Sequence, residues 1–337
     1  MHLRGIGTAA PESRYTKAEC LDAFQRSAWF AKLDARSHAL ARSVLQRDNG
    51  IETRHLAVDR LDDVFDIDPN TLSARFLAHA PVLASKAADQ ALVKSGLDAS
   101  QIDGLVVSTC TGYLCPGLTS YVAENLGLRS DIKAFDLVGQ GCAAALPNLA
   151  LGGSLIGSGA CRQVLSVCVE VCSAAMYLDN DPGVLISACL FGDGAGAAVL
   201  SADAPETGRS VRWVDSESLT VPAHRKALMF EQRDGLLRNI LSRAVPGLAA
   251  LHARQVRDDV LTRAGLIPAD IRAWILHAGG RDVLQALEHG LELSSDDLRY
   301  SAAMLHRYGN LSSAFVYFVL AEALADSAPD GWWWLSS

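Results

Sequence analysis

Short unbroken apolar runs alternate along this chain with longer stretches in which apolar residues recur every three or four positions. Residues 102–110 (IDGLVVSTC) read as a buried strand and 118–128 (LTSYVAENLGL) as a helix. Residues 131–138 (DIKAFDLV) predict a second strand, 143–159 a helix, and 162–171 (RQVLSVCVEV) a third strand. This β-α-β-α-β order predicts a mainly parallel sheet covered by helices, an α/β fold. Pro147 falls early in the second helix, where proline is expected to remove a hydrogen bond or kink the axis. Residues 183–200 (GVLISACLFGDGAGAAVL) read as a strand, a Gly-rich turn and another strand.

A similar order returns later. Residues 257–266 predict a helix, 271–280 a strand ending at His277, 281–293 and 311–324 two helices, and 332–336 (WWWLS) a strand. The chain then stops at Ser337 without a second Gly-rich turn and closing strand. The three tryptophans are therefore expected to form a strand that lacks a hairpin partner and leaves an apolar edge.

Composition narrows the function classes. Half of the 337 residues are hydrophobic, enough for a large core, and a net charge of −8 with no basic block argues against a nucleic-acid partner. No window is long and apolar enough for a membrane span, and the N-terminus lacks a leader pattern. Eight cysteines lie in apolar stretches, which suits a reducing cytoplasm better than a disulfide framework. Their spacings, such as Cys110-x4-Cys115 and Cys168-x3-Cys172, are not zinc knuckles, so no metal is expected.

Three residues carry candidate chemistry. Cys142 follows Val138-Gly139-Gln140-Gly141 at a strand-to-helix junction, where free N–H groups and the helix dipole favour a thiolate. His277 closes an apolar strand ahead of Ala278-Gly279-Gly280, and Asn310 lies in Gly309-Asn310-Leu311-Ser312-Ser313. A histidine can hold a thiolate as an ion pair, and His with Asn can donate to an oxyanion. Each residue alone also fits a structural role: a packed thiol, a satisfied core histidine, a helix cap.

The three contexts together resemble the type III polyketide synthases, the chalcone and stilbene synthase family of the thiolase fold. His277-Ala278-Gly279-Gly280 is close to that family's His-Pro-Gly-Gly, and Tyr308-Gly309-Asn310-Leu311-Ser312-Ser313-Ala314 to its Tyr-Gly-Asn-Met-Ser-Ser-Ala. Leu190-Phe191-Gly192-Asp193-Gly194-Ala195 and Val245-Pro246-Gly247-Leu248 match further motifs. The resemblance implies a thiolase-like fold of two similar halves, residues 1–202 carrying the cysteine and 203–337 carrying His and Asn, layered α-β-α-β-α. It implies a catalytic triad of Cys142, His277 and Asn310, with Phe191 as one of two gatekeeping aromatics. The second gate falls near Leu237-Arg238-Asn239-Ile240, which has no Phe; Phe230 lies a few residues earlier.

By the same resemblance Cys110, Thr111, Cys172, Ala175 and Ser312 line the substrate cavity, Cys115 reaches the cavity of a partner subunit in a homodimer, and Arg54 meets a CoA phosphate. Small lining residues leave room for a long apolar starter. The implied reaction is decarboxylative condensation of malonyl-CoA onto an acyl-CoA, then cyclisation to a pyrone, resorcinol or other phenol, with no cofactor beyond the CoA thioesters. Two alternatives stay open: an initiating ketoacyl synthase that condenses once, or a non-catalytic thiolase-fold scaffold.

Overall fold

A computed structural model describes residues 1–206, 209–326 and 328–337. The strands are β1 (His2–Ala9), β2 (Arg14–Thr16), β3 (Thr53–His55), β4 (Gly104–Thr109), β5 (Lys133–Val138), β6 (Gln163–Glu170), β7 (Gly194–Ser201), β8 (Val211–Arg212), β9 (Leu228–Arg233), β10 (Leu236–Leu241), β11 (Ile271–Leu276) and β12 (Trp332–Ser336). The helices are α1 (Lys17–Arg26), α2 (Ala28–Lys32), α3 (Ala35–Gln46), α4 (Pro69–Ser95), α5 (Leu118–Leu126), α6 (Ala145–Gly157), α7 (Pro182–Leu190), α8 (Val245–Ala264), α9 (Arg281–Leu291), α10 (Arg299–Tyr308) and α11 (Phe315–Ala325).

Six strands form one sheet in the order β5-β4-β6-β7-β1-β8. The pairs β4–β5 and β4–β6 are parallel, as the βαβ reading requires, whereas β7 runs antiparallel to both β6 and β1. Strand alternation divides the core into two layers. Leu165, Val167 and Val169 of β6 face α4, with Leu105 and Val107 of β4 beside them. Val164 and Cys168 face the other way, toward α6 and α11. Beyond α11, Trp274 and Ile275 of β11 continue the same core to Val260, Leu261, Leu284 and Leu287 of α8 and α9. The order is helices, sheet, helices, strands, helices: the layering of a thiolase-like fold. Close contact of α4 on β1 depends on Gly7, where a Cβ would lie 2.0 Å from the Ala87 carbonyl oxygen.

Two expectations change, and a third is met in a sheet the sequence did not specify. Residues 183–190 are helical rather than a strand. Asp181 caps α7 by accepting from the Gly183 and Val184 N–H groups, and Pro182 sits at its first position. An unbroken apolar run fits a buried helix as well as a buried strand. Pro147 is the third residue of α6, inside the first turn where N–H groups lack helical partners, so it breaks nothing. Finally, β12 pairs in parallel with β11 from Ile271↔Trp332 to Leu276↔Ser336. It therefore stands to β11 as β6 stands to β4, and as expected it has no hairpin partner among the described residues. Trp334 is buried against Trp274, and no strand pairs with the other edge of β12 among the described residues. No helix is long and apolar enough to cross a membrane among the described residues.

Candidate active site

A cavity of about 1550 Å3 opens where β5, β11, α7 and the β9–β10 hairpin converge, and Cys142, His277 and Asn310 all line it. Cys142 sits in a single 3-10 turn, Gly141–Ala144, between β5 and α6. Gly139 (φ +81°) and Gly141 (φ +58°) make the left-handed turns that bring the chain off the edge strand. The Sγ atom is 3.3 Å from the Ser312 hydroxyl, which can donate to it. Burial pushes the thiol up to about 11; the Ser312 hydroxyl opposes that rise and the nearby Glu170 carboxylate adds to it.

His277 leaves β11 directly, and its backbone N–H donates to the Ser336 carbonyl on β12 (2.9 Å). Its ring meets Phe315 edge-on at 5.4 Å, and Nδ1 is buried without a hydrogen-bond partner among the described residues. Burial alone lowers the imidazole to about 4. Burial thus favours the neutral form of each group, and no hydrogen bond joins Cys142 to His277 among the described residues.

Asn310 is fixed on both sides. Its Oδ1 accepts from the Ser312 N–H (2.8 Å), and Nδ2 donates to the Gly279 carbonyl (3.1 Å). An amide nitrogen carries two hydrogens, so one remains for a ligand. The cost of this arrangement sits at Ser312, a non-glycine held at φ +51° in the left-handed region.

Sequence reasoning missed Glu170. It is fully buried at the end of β6, and burial raises its carboxyl. The carboxylate accepts from the Ser313 hydroxyl, from Thr111 Oγ1 (2.8 Å) and from the Cys110 N–H (3.1 Å), and Ser312 Oγ lies 3.4 Å away, its one hydrogen able to serve either Glu170 or Cys142. Ser312 thus links Glu170 to Cys142. The available signal was a lone acid closing an otherwise apolar strand, VLSVCVEV.

A family model described as "FAE1/Type III polyketide synthase-like protein" matches residues 8–215, and one described as "Chalcone and stilbene synthases, C-terminal domain" matches residues 216–332. The chain belongs to the type III polyketide synthase family. It is an acyltransferase of the polyketide synthase class. A 3,5-dihydroxyphenylacetyl-CoA synthase of Streptomyces toyocaensis is 30% identical, aligned over 96% of this chain and 82% of that protein. A 1,3,6,8-tetrahydroxynaphthalene synthase of Streptomyces peucetius subsp. caesius is 31% identical, over 98% and 87%. The crystal structure of PKS-I from the brown alga Ectocarpus siliculosus superposes with a TM-score of 0.89 at 24% identity, covering 96% of this chain and 89% of that one.

In this type III polyketide synthase Phe191, Cys110, Thr111, Cys172, Ala175 and Ser312 all border the same cavity. Phe191 caps the C-terminus of α7 and bridges to Asn310 rather than ending a strand. Cys115 is exposed, beside the highly exposed Tyr113, and does not border this chain's own cavity. Arg54 is misplaced by the sequence reading. It is only 6% exposed, its Nη1 donates to the carbonyls of Ala188 (2.8 Å) and Phe191 (3.1 Å), and it lies outside the cavity lining, so it cannot meet a CoA phosphate there. Exposed arginines that do border the cavity are Arg47, Arg243 and Arg281.

The second gate region is one wall of the cavity. In the β9–β10 ladder Asn239 lies directly opposite Phe230, Leu237 opposite Gln232 and Leu241 opposite Leu228, and all six border the cavity. Cross-strand partners share a face, so the Phe230 ring stands beside Asn239 on the cavity wall. The reverse face carries Arg238, ion-paired to Glu231, Asp179 and Asp181. The sequence signal was Asp234-Gly235 between two apolar runs, a two-residue turn with both φ positive (52° and 77°).

Proposed function

We propose that Cys142, His277 and Asn310 carry out decarboxylative condensation of malonyl-CoA onto an acyl-CoA starter. The observation that carries this reading is the convergence of Cys142, His277 and Asn310 on a single cavity, with one amide hydrogen of Asn310 to spare. In loading, the Cys142 thiol gives its proton to His277 as sulfur attacks the starter thioester. The departing CoA thiolate takes that proton back, leaving an acyl-cysteine. Malonyl-CoA then loses CO2, and its enolate oxygen is held by donors from His277 and Asn310. The enolate carbon attacks the acyl-cysteine carbonyl, and the cysteine thiolate is released for the next cycle. One well-placed oxyanion donor is worth about 3 kcal/mol.

The arginines bordering the cavity, Arg47, Arg243 and Arg281, supply positive charge suited to CoA phosphates. The volume and the small side chains of Cys110, Cys172 and Ala175 favour a medium or long acyl starter, and cyclisation to a pyrone, resorcinol or other phenol completes the reaction. The chemistry requires no metal or redox cofactor. The edge strand β5 exposes Phe135 and Val138 next to Tyr113 and Cys115, which supports a homodimer in which Cys115 reaches the partner cavity. Eight free cysteines support a reducing, cytoplasmic setting.

Mass spectrometry of products from malonyl-CoA and a panel of acyl-CoA starters tests this reading. Extended, decarboxylated products with the starter trapped on Cys142 are expected. A single condensation and no more would favour an initiating ketoacyl synthase. No CO2 release at all would favour a non-catalytic scaffold.

A further inference from the structure

Arg54 joins two parts of the cavity that approach it from different directions. One is the C-terminus of α7, which leads into Phe191; the other is the turn after α10, which leads into Asn310. The guanidinium donates to the Ala188 and Phe191 carbonyls, so it neutralises the negative end of the α7 dipole. The aliphatic stem packs on Gly309: a Cβ there would lie 3.1 Å from Arg54 Cγ. Gly309 itself is held at φ +71°, which sets the direction of Asn310.

Backbone hydrogen bonds around Arg54 complete the clamp. Asn310 N–H donates to the Leu190 carbonyl, and Gly192 N–H donates to the Asn310 carbonyl, both at 2.9 Å. On the other flank Glu52 N–H donates to the His306 carbonyl (2.9 Å), Thr53 Oγ1 to the Arg307 carbonyl (2.6 Å), and Asp193 N–H to the His55 carbonyl (2.8 Å). Residues 52–55 are thus a strap stitched to both segments, and Arg54 is the strap's inward side chain.

Among the described residues no carboxylate lies within ion-pair distance of Arg54, and its Nε–H has no partner. The charge is met instead by the two carbonyls at the C-terminus of α7 and, at longer range, by the buried Asp193 carboxyl.

We propose that Arg54 is a positioning residue that holds Phe191 and Asn310 in register, so that the gate and the oxyanion donor keep a fixed relation to Cys142. This rests on the condensation reading above. The role differs from CoA binding, because it acts on the reacting geometry and not on substrate affinity.

The test compares Arg54→Met and Arg54→Lys with the wild type, measuring malonyl-CoA decarboxylation, condensation and thermal stability. A small displacement of a catalytic donor can cost a large factor in rate, so Arg54→Met should lower kcat by roughly tenfold or more. KM for both CoA esters should stay within about twofold, the pattern of a lost transition-state contact. Arg54→Met should also lower thermal stability, because the Ala188 and Phe191 carbonyls lose their donor, and Arg54→Lys, which retains the charge, should restore part of kcat. In an Asn310→Ala background the Met substitution should cost less than about twofold more, because the two act as one unit.

A rise in KM with kcat held would make Arg54 a CoA contact and overturn the proposal. A fall in stability with normal kcat, or full additivity with Asn310→Ala, would do the same. If Arg54→Met does not fold, Arg54→Lys gives the same split. If the wild type itself neither decarboxylates nor extends malonyl-CoA, the condensation reading fails. The positioning claim is then read from a crystal structure of a folded variant, where unmoved Phe191 and Asn310 side chains would refute it.

Discussion

Replacing Glu170 with Gln removes a buried negative charge next to the nucleophile while leaving the shape intact. The Oε2 side faces the Cys110 N–H, which can only donate, so the amide oxygen of Gln must take that place. The amide nitrogen then faces the Ser312 and Ser313 hydroxyls, which can rotate to accept. Two successive contacts, 3.4 Å from Glu170 to Ser312 and 3.3 Å from Ser312 to Cys142, put the charge at most about 7 Å from the sulfur. At an effective dielectric of about 20 that distance corresponds to about 2.4 kcal/mol of repulsion against a thiolate. Its removal should lower the Cys142 thiol from about 11 and raise the thiolate population about fiftyfold at any pH well below both midpoints. A less basic thiolate is a weaker nucleophile, with a Brønsted slope of about 0.4–0.5, so the net gain in alkylation rate is about tenfold. The assay is iodoacetamide labelling at pH 8, with Cys142 read separately from Cys110 and Cys172 by peptide mass. An unchanged Cys142 rate in a folded Glu170→Gln protein would refute the reasoning, because it would mean that the buried carboxyl is already protonated. The wild-type rate should climb with pH through the range 7–9, since a thiol raised by burial ionises only above it. A plateau reached below pH 7 would instead reveal a standing ion pair with His277.

Asn310→Ala should lower the rate of malonyl-CoA decarboxylation about a hundredfold, the effect of one oxyanion donor, and His277→Ala should do at least as much; CO2 release measures both. Cys142→Ala should abolish starter loading, seen as loss of the acyl mass on the peptide holding residue 142. Ala175→Phe should shift starter preference from long to short acyl-CoA by filling cavity volume, read as the ratio of kcat/KM for the two; an unchanged ratio would place residue 175 away from the acyl chain.

How much of this was legible in the sequence depends on the range of the contacts involved. The strands 102–110, 131–138, 162–171 and 332–336 appear within a residue or two of their expected places, because each is an apolar run bounded by turn residues. The family motifs around Cys142, His277 and Asn310 are local strings, so they pointed to one cavity before any fold was known. Residues 183–190 were misread because periodicity does not separate a buried helix from a buried strand, although Asp181-Pro182 is a helix-start signal. Arg54 was misread for a different reason. Its environment is made by carbonyls at residues 188 and 191 and a glycine at 309, and nothing in Ile51-Glu52-Thr53-Arg54-His55 encodes that burial. Glu170 likewise acquires its meaning from donors in two other segments of the chain.

The β9–β10 hairpin separates two demands that are usually entangled. Its cavity face holds three rungs, Gln232/Leu237, Phe230/Asn239 and Leu228/Leu241, and none of these residues belongs to the proposed triad. Its reverse face is anchored through Arg238 to Asp179 and Asp181, at the loop that starts α7. The hairpin can therefore serve as an exchangeable panel. Recombining side chains across the three rungs would remodel the interior surface presented to the acyl chain, while the anchor on the far side keeps the panel seated and the nucleophile, imidazole and amide remain on separate elements. Libraries restricted to these six positions are the economical route to new starter selectivity in this scaffold.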